Sequence, residues 1–498
     1  MRRIFFLLII ILSMGTLVGC DKTISLLEPP KIDTVAPSVP ANLTVTPVGS
    51  TEVSLLWAAS TDDVGVTHYK VFRDVIEIAT TTTTNYNNGV LFASTKYSYA
   101  VSACDVAGNC SAVSNSASVT TFAVATKDTP MKLVQVKNAT TRMAVCNNGD
   151  PFVYYYRPGF EENANKWVIF LQGGGGCNNV SDCEARWTSE QGKMIAPTAS
   201  TKPSDGIFST DATRNPDFYN YNQVFMEYCS SDGWMGDTSY PDIEWIAGGT
   251  LHFRGYLIVK AVIEDLINPA LYGPNLSSAT FVLFAGGSAG GEGQLANVDR
   301  VAAMLPNVGK ILGVTDSYYH PLVQNYPDSP TTPVDLGTMP GFGPSYTYWK
   351  ARPNESCVAA PENALRPSFC MTGPGTYSYL KTPTFIYEDQ LDENRQREIG
   401  VIENDLNPPI NCSMYSLEQR NYLIAYAKVV REAMQGLATA PAFGGGFSTA
   451  VGYHTALTHP TRYFDEKVNG MSYAEVLGNW VFDRQGETKL VIDAIPCD

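Results

Sequence analysis

The rhythm of apolar and polar positions changes twice along the 498 residues of this chain. At the N-terminus, Arg2 and Arg3 precede an unbroken apolar run, Ile4 to Leu12, followed by small residues ahead of Cys20. From Ala41 to about Phe122, short segments alternate apolar and polar residues between turn signals: Glu52 to Trp57, His68 to Arg73, Tyr97 to Ala103 and Ala117 to Thr121. A period of two marks half-buried strands, and a succession of short ones predicts a small β-sandwich. From about Met131 the texture becomes continuous apolar strands at Trp167–Leu171, Gln223–Glu227, Ala279–Phe284, Ile311–Thr315 and Thr384–Tyr387. Helical patterns separate them at Val259–Ile267, Gln294–Leu305 and Ser416–Met434. Strands apolar on both faces that alternate with helices predict a parallel α/β sheet covered on both sides, with ligands at the carboxyl ends of its strands.

The opening run has the charged, apolar and small-residue regions of a secretory signal. Leu17-Val18-Gly19-Cys20 resembles the bacterial lipobox, which implies a signal peptide over 1–19, lipid on Cys20 and a place in the cell envelope outside the cytoplasm. The proline-rich stretch 20–38 then reads as a tether. No other apolar run reaches the ~18 residues needed to span a bilayer. Setting Cys20 aside from eleven cysteines leaves ten, enough for five disulfides in an exported chain. Spacing favours Cys104 with Cys110, Cys177 with Cys183, and Cys357 with Cys370; Cys146, Cys229, Cys412 and Cys497 pair among themselves in an unspecified way. No cysteine spacing suits zinc, and neither metal nor cofactor is expected. A formal net charge of -15 argues against a nucleic-acid partner.

Candidate chemistry centres on Ala285-Gly286-Gly287-Ser288-Ala289-Gly290-Gly291. A Gly-x-Ser-x-Gly sequence between a buried strand and a helix presents its serine on a strained turn above the sheet, so Ser288 is the candidate nucleophile. A serine hydroxyl needs a base, and the base an orienting acid. Among five histidines, His68 falls in the sandwich, and His252 and His320 lie before or soon after the serine. The chain order serine, acid, histidine selects the segment Tyr453 to Pro460, with His454 as base and His459 as a structural residue. Asp392, Asp316 and Asp389 all lie past strand ends and compete for the acid. Gly173-Gly174-Gly175-Gly176 follows another strand, and its Gly174 and Gly175 N–H groups, with that of Ala289, are candidate oxyanion donors.

Two family resemblances rest on these and neighbouring motifs. Pro40-Ala41-Asn42-Leu43, Trp57, Tyr69 to Arg73 and Thr95 to Tyr99 resemble a fibronectin type III domain over 39–123, in which Trp57 would fill the core and Tyr97 would brace a corner. Over 131–498 a longer series resembles the pectin acetylesterase and Notum family of carboxylesterases: Cys146 to Gly149, Gly174 to Cys183 with Arg186 and Trp187, Tyr228 to Trp234, Phe253 to Gly255, Gly287 to Gly291, Asn297 to Arg300, and Asp316-Ser317. That resemblance implies an α/β-hydrolase-like fold with Ser288, Asp392 and His454 as triad. It also implies a substrate such as an acetylated, pectin-like polysaccharide or another small ester. Lipid-type acyl esters, or a silent binding lipoprotein, are the alternatives. Gly176 stands where the family usually has an aromatic, so an open cavity wall is expected there. Trp234 and Tyr318 are candidates for stacking on a sugar. The partner of the fibronectin-like domain is not specified.

Overall fold

The computed structural model describes residues 33–497 apart from 242–244, 246, 269–274, 329–341, 403–411 and 440–442, so Cys20 and the signal lie outside the described residues. Seven strands precede the α/β unit: β1 (Ala41–Pro47), β2 (Val53–Ala58), β3 (Val66–Arg73), β4 (Ile76–Thr81), β5 (Asn85–Asn88), β6 (Lys96–Asp105) and β7 (Ala117–Thr120). They form two antiparallel sheets, ordered β1-β2-β5 and β4-β3-β6-β7. Between them lies an apolar core in which Trp57 meets Tyr69 edge to face at 5.5 Å. The Tyr97 hydroxyl accepts the N–H of Phe92 at 2.9 Å, pinning the chain just before β6.

Fourteen further strands follow among the described residues: β8 (Met131–Gln135), β9 (Val153–Arg157), β10 (Lys166–Leu171), β11 (Thr201–Lys202), β12 (Asn222–Met226), β13 (Thr238–Tyr240), β14 (Leu251–Phe253), β15 (Phe281–Gly287), β16 (Lys310–Asp316), β17 (Thr384–Tyr387), β18 (Phe443–Ser448), β19 (Lys467–Val468), β20 (Met471–Ser472) and β21 (Leu490–Ile492). Ten of them make one sheet in the order β11-β8-β9-β12-β10-β15-β16-β17-β18-β21. From β12 to β21 all neighbours are parallel, whereas β11, β8, β9 and β12 pair antiparallel. The sheet is thus mixed where an all-parallel one was predicted, because the segment from Val136 to Phe152 that joins β8 to β9 holds no helix to carry the chain back across the sheet.

Along β15 the side chains alternate between two cores. Val282 and Phe284 join the cluster containing helices Gly255–Ile267 and Leu417–Gly436, while Phe281, Leu283 and Ala285 join the one containing helix Tyr473–Val481. Five disulfides match or complete the predicted pairs, adding Cys146–Cys229 and Cys412–Cys497 to the three local ones. Gly444 to Gly446 belong to β18. A Cβ on Gly444 would lie 2.3 Å from the Thr384 carbonyl, so β17 approaches too closely for any side chain.

Candidate active site

Ser288 stands between β15 and the helix Ala289–Met304, with φ 55° and ψ -127°, a conformation ordinary L-residues avoid. The helix begins directly after the serine, five residues earlier than its apolar pattern suggested, because Gly290 and its neighbours can be packed against backbone. A Cβ on Gly286 would lie 1.9 Å from the Gly290 carbonyl, and one on Gly290 1.9 Å from the Leu171 carbonyl. The N–H of Ser288 donates to the Asp316 carbonyl at 2.8 Å, and its own carbonyl accepts the N–H of Gly291 at 2.7 Å.

His454 reaches the same place from the segment after β18. Its Nδ1 lies 2.7 Å from Asp392 Oδ2, while Oδ1 of that carboxylate accepts the N–H groups of Asn394 and Arg395 as the cap of helix Glu393–Glu398. The second ring nitrogen, Nε2, is shielded from solvent and makes no hydrogen bond among the described residues. With Nδ1–H donating to the acid, Nε2 keeps a lone pair free to take a proton. Burial, the largest influence, pushes the imidazole down, but the charge and hydrogen bond of Asp392, with the charge of Asp316, outweigh it and raise His454 above 6.5. Burial also pushes Asp392 up, yet the charge and hydrogen bond of His454 and the N–H of Arg395 bring it below the usual carboxylate value. Each group favours the ionised form of the other.

The competing acids do other work. Asp316 Oδ2 accepts the N–H groups of Ala456 and Leu457, and burial lifts its carboxyl to about 6. Asp389 accepts from Leu391, Gly452, Tyr453 and the Thr449 hydroxyl, and burial lifts it to about 7. Neither meets the histidine ring. His459 Nδ1 accepts the N–H of Arg462 at 3.2 Å in a local turn, as a structural residue would.

Two cavities meet at the serine. One, of about 530 Å³, is lined by Tyr318, Trp349 and Met371 together with Ser288, Asp392 and His454; the other, of about 500 Å³, runs over Gly173 to Gly176 toward Phe170, Phe225 and Lys193. The glycine loop is held from behind, since Arg186 Nη2 donates to the Gly174 carbonyl and Nε to Ser231 Oγ at 2.9 Å. Among the described residues nothing accepts from the N–H groups of Gly174, Gly175 or Ala289. Gly176 is exposed and lines both cavities, with the indole of Trp349 close beside it. Trp349 packs where a Cβ would sit, 3.1 Å from Cζ2, and its Nε1 donates to the Cys177 carbonyl at 2.7 Å.

Tyr318 lines the larger cavity and donates to the Met371 carbonyl at 3.0 Å. Trp234 does not line it. Its indole is 0% exposed, donates to the Gln172 carbonyl at 3.0 Å and packs on Tyr228 and Phe152, which leaves no face for a sugar. Sequence reasoning missed three polar residues of the larger cavity. His320 follows β16; burial drives it down to about 3, and its Nδ1 is 3.8 Å from buried Glu388. Glu292 lies one helical turn past Ser288, and burial lifts it to about 8. Arg395 follows the acid within the capped helix. Only Glu292 had a signal in the chain, its i+4 spacing from the serine. Away from this site, and among the described residues, Asp33, Asp62 and Asp105 of the sandwich bring carboxylate oxygens within 4.8 Å of one another, an arrangement that could accept a cation.

Comparison with known proteins agrees with the fold. Mouse palmitoleoyl-protein carboxylesterase NOTUM is 31% identical over 254 residues, 50% of this chain and 48% of that protein. Arabidopsis thaliana pectin acetylesterase 4 is 26% identical over 378 residues, 74% of this chain and 87% of that protein. The crystal structure of the Wnt deacylase Notum from Drosophila superposes with a TM-score of 0.61 at 24% identity, covering 74% of this chain and 97% of that one, which establishes a shared mixed-sheet α/β fold. The chain spans about half the length of the first curated relatives it matches. The sequence model of the pectinacetylesterase family matches residues 124–498, and the chain belongs to that family.

Proposed function

We propose that this protein is a serine carboxylesterase acting outside the cytoplasm, and that it removes O-acetyl groups from polysaccharides of the pectin type. Ser288 Oγ attacks the acyl carbonyl while His454 Nε2 takes its proton and then passes it to the departing sugar oxygen. Water, deprotonated in turn by His454, attacks the acyl-enzyme, and acetate leaves as Ser288 regains its proton. Asp392 holds the Nδ1–H tautomer, and the N–H groups of Gly174, Gly175 and Ala289 face the developing oxyanion, each worth about 3–4 kcal/mol when lost. The observation that carries this reading is the 2.7 Å Asp392–His454 contact, with an unpartnered Nε2 on a cavity wall shared with a strained serine. Tyr318 is retained as a substrate-contacting residue; Trp234 is not.

The layout proposed around this unit is a signal over 1–19, lipid on Cys20, a tether to residue 38, a fibronectin type III-like domain over 39–123 and an esterase domain over 131–498. Membrane attachment through Cys20 would leave the esterase facing acylated glycans outside the cell. The test of the reaction is acetate release from acetylated polysaccharides by the full chain. Wild-type release that survives unchanged in Ser288→Ala would sink the mechanism.

A second reading, hydrolysis of long acyl esters, is favoured by the names of the first relatives, which are palmitoleoyl-protein carboxylesterases. The larger cavity speaks for short groups. Glu292, Asn325, Asn394, Arg395 and Glu398 line it, whereas each methylene of a long chain gains its ~0.8 kcal/mol only from apolar surroundings. A chain-length series of p-nitrophenyl esters separates the two, with preference for long chains supporting the second. Failure of a fluorophosphonate to label Ser288 would point to a silent binding protein.

A further inference from the structure

The segment carrying His454 is held by side chains at its backbone. On its N-terminal side, Asp389 Oδ1 accepts the N–H of Gly452 at 2.9 Å and Oδ2 accepts that of Tyr453 at 3.2 Å. On its C-terminal side, Ser317 Oγ accepts the N–H of Thr455 at 3.0 Å, and Asp316 Oδ2 accepts those of Ala456 at 2.9 Å and Leu457 at 2.7 Å. The carbonyl of the same Asp316 accepts the N–H of Ser288. One residue, 1% exposed at the end of β16, therefore bonds both to the turn that carries the serine and to the loop that carries the histidine. β16 is also the register neighbour of β15, pairing Asp316 with Gly287.

We propose that Asp316 is a positioning residue that sets the His454 ring against Ser288 by tying the two segments to one strand end, with Ser317 and Asp389 completing the grip. This rests on the reading of Ser288 and His454 as nucleophile and base. Backbone N–H groups bound to a buried carboxylate cannot swing without leaving a charged acceptor unpaired, a cost of about 1–3 kcal/mol or more. The loop is thereby stiffened where a displacement of an ångström can cost about 100-fold in rate. The charged and titratable groups facing His454 are Asp392, Glu393 and Glu398 from the acid side, Asp316 from β16, the neutral His320 beyond it, and Arg462, which donates to the His454 carbonyl at 2.8 Å.

Asp316→Asn keeps the shape but sets an amide against two N–H donors and removes one negative charge from beside the imidazole. For the full chain on p-nitrophenyl acetate, kcat should fall roughly 10- to 100-fold with KM nearly unchanged. The acid limb of the pH–rate profile should also move to lower pH, since the imidazolium loses a stabilising neighbour. A residue that served only the fold would lower Tm and the active fraction and leave that limb in place. Turnover within about twofold of wild type with an unmoved limb overturns the proposal, since each twofold in rate is only ~0.4 kcal/mol of barrier. Should Asp316→Asn yield no folded protein by circular dichroism, Ser317→Ala decides: a lowered kcat with KM retained is expected, and wild-type kcat refutes the grip. Wild type without Ser288-dependent turnover would instead refute the triad reading beneath it.

Discussion

The sandwich and the α/β unit handle acidic side chains in opposite ways. In the sandwich, Asp62 receives the N–H groups of Val64 and Gly65, Asp74 that of Ser98, and Asp105 that of Asn109, so each carboxylate shapes a local turn or strand end. In the α/β unit, Asp316, Glu388, Asp389 and Asp392 are all 2% exposed or less, and all lie around one histidine. Burying that many carboxyls is costly, and three of the four are pushed upward by burial. Asp392 alone is brought down, because His454 beside it favours the charged form, whereas His320, 3.8 Å from Glu388, is held neutral by burial. Such a concentration of perturbed acids about one histidine supports the proposed site, whereas the sandwich acids, of which Asp33, Asp62 and Asp105 also lie together, accept from the N–H groups of nearby turns and strand ends.

That contrast can be broken most sharply at the nucleophile. Ser288→Ala should reduce kcat by about 10⁴–10⁶ and abolish fluorophosphonate labelling, with the fold intact by circular dichroism. Asp392→Asn should cost on the order of 10³–10⁴ in kcat, because the tautomer of His454 is no longer held; Asp389→Asn, which does not touch the ring, should cost far less. If the two aspartates proved equal, the distinction between the acid and its neighbours would fall.

Titration gives smaller effects. His454 acts as a base only when neutral, and its value lies above 6.5, so turnover should decline as pH falls through a midpoint above 6.5. A midpoint well below that would deny the ion pair with Asp392. Glu292 offers a stability readout. Its folded value of about 8 exceeds the ordinary 4.5, so between those pH values the native chain holds a proton that the unfolded chain has lost. Stability therefore falls as pH rises through that window, and is fully present below it. Glu292→Gln should match wild-type Tm near pH 4 and exceed it near pH 9. The smallest effect on turnover belongs to the sandwich: Trp57→Ala should destabilise that region by ~3–5 kcal/mol while esterase kcat stays within error. A parallel loss of kcat would show that the two regions are energetically one.

Much of this was legible in the chain, for reasons that can be located. The strand before Ser288, its glycine turn and the order of serine, acid and histidine are local signals, and they point to Ser288 and His454; three aspartates stayed open as the acid until the family resemblance chose Asp392, which meets His454 at 2.7 Å. Local glycine content misled once. Gly290 and Gly291 delayed the predicted helix start, because a one-dimensional reading cannot see the backbone pressed against each position. Trp234 seemed available because an indole reads the same in a core as in a cleft. The roles of Asp316 and Asp389 were hidden for a different reason: their partners lie 140 and 63 residues away on main-chain N–H groups, which leave no trace in side-chain pattern.

The grip on the base loop bears on which of its positions can be varied. Its donors are main-chain N–H groups, present in every amino acid but proline. The side chain of Thr455, which lines the smaller cavity, can therefore be exchanged without unhooking the loop. A library randomised at that position, with the proline codons left out, would explore a new wall for the cavity while leaving the histidine where it stands.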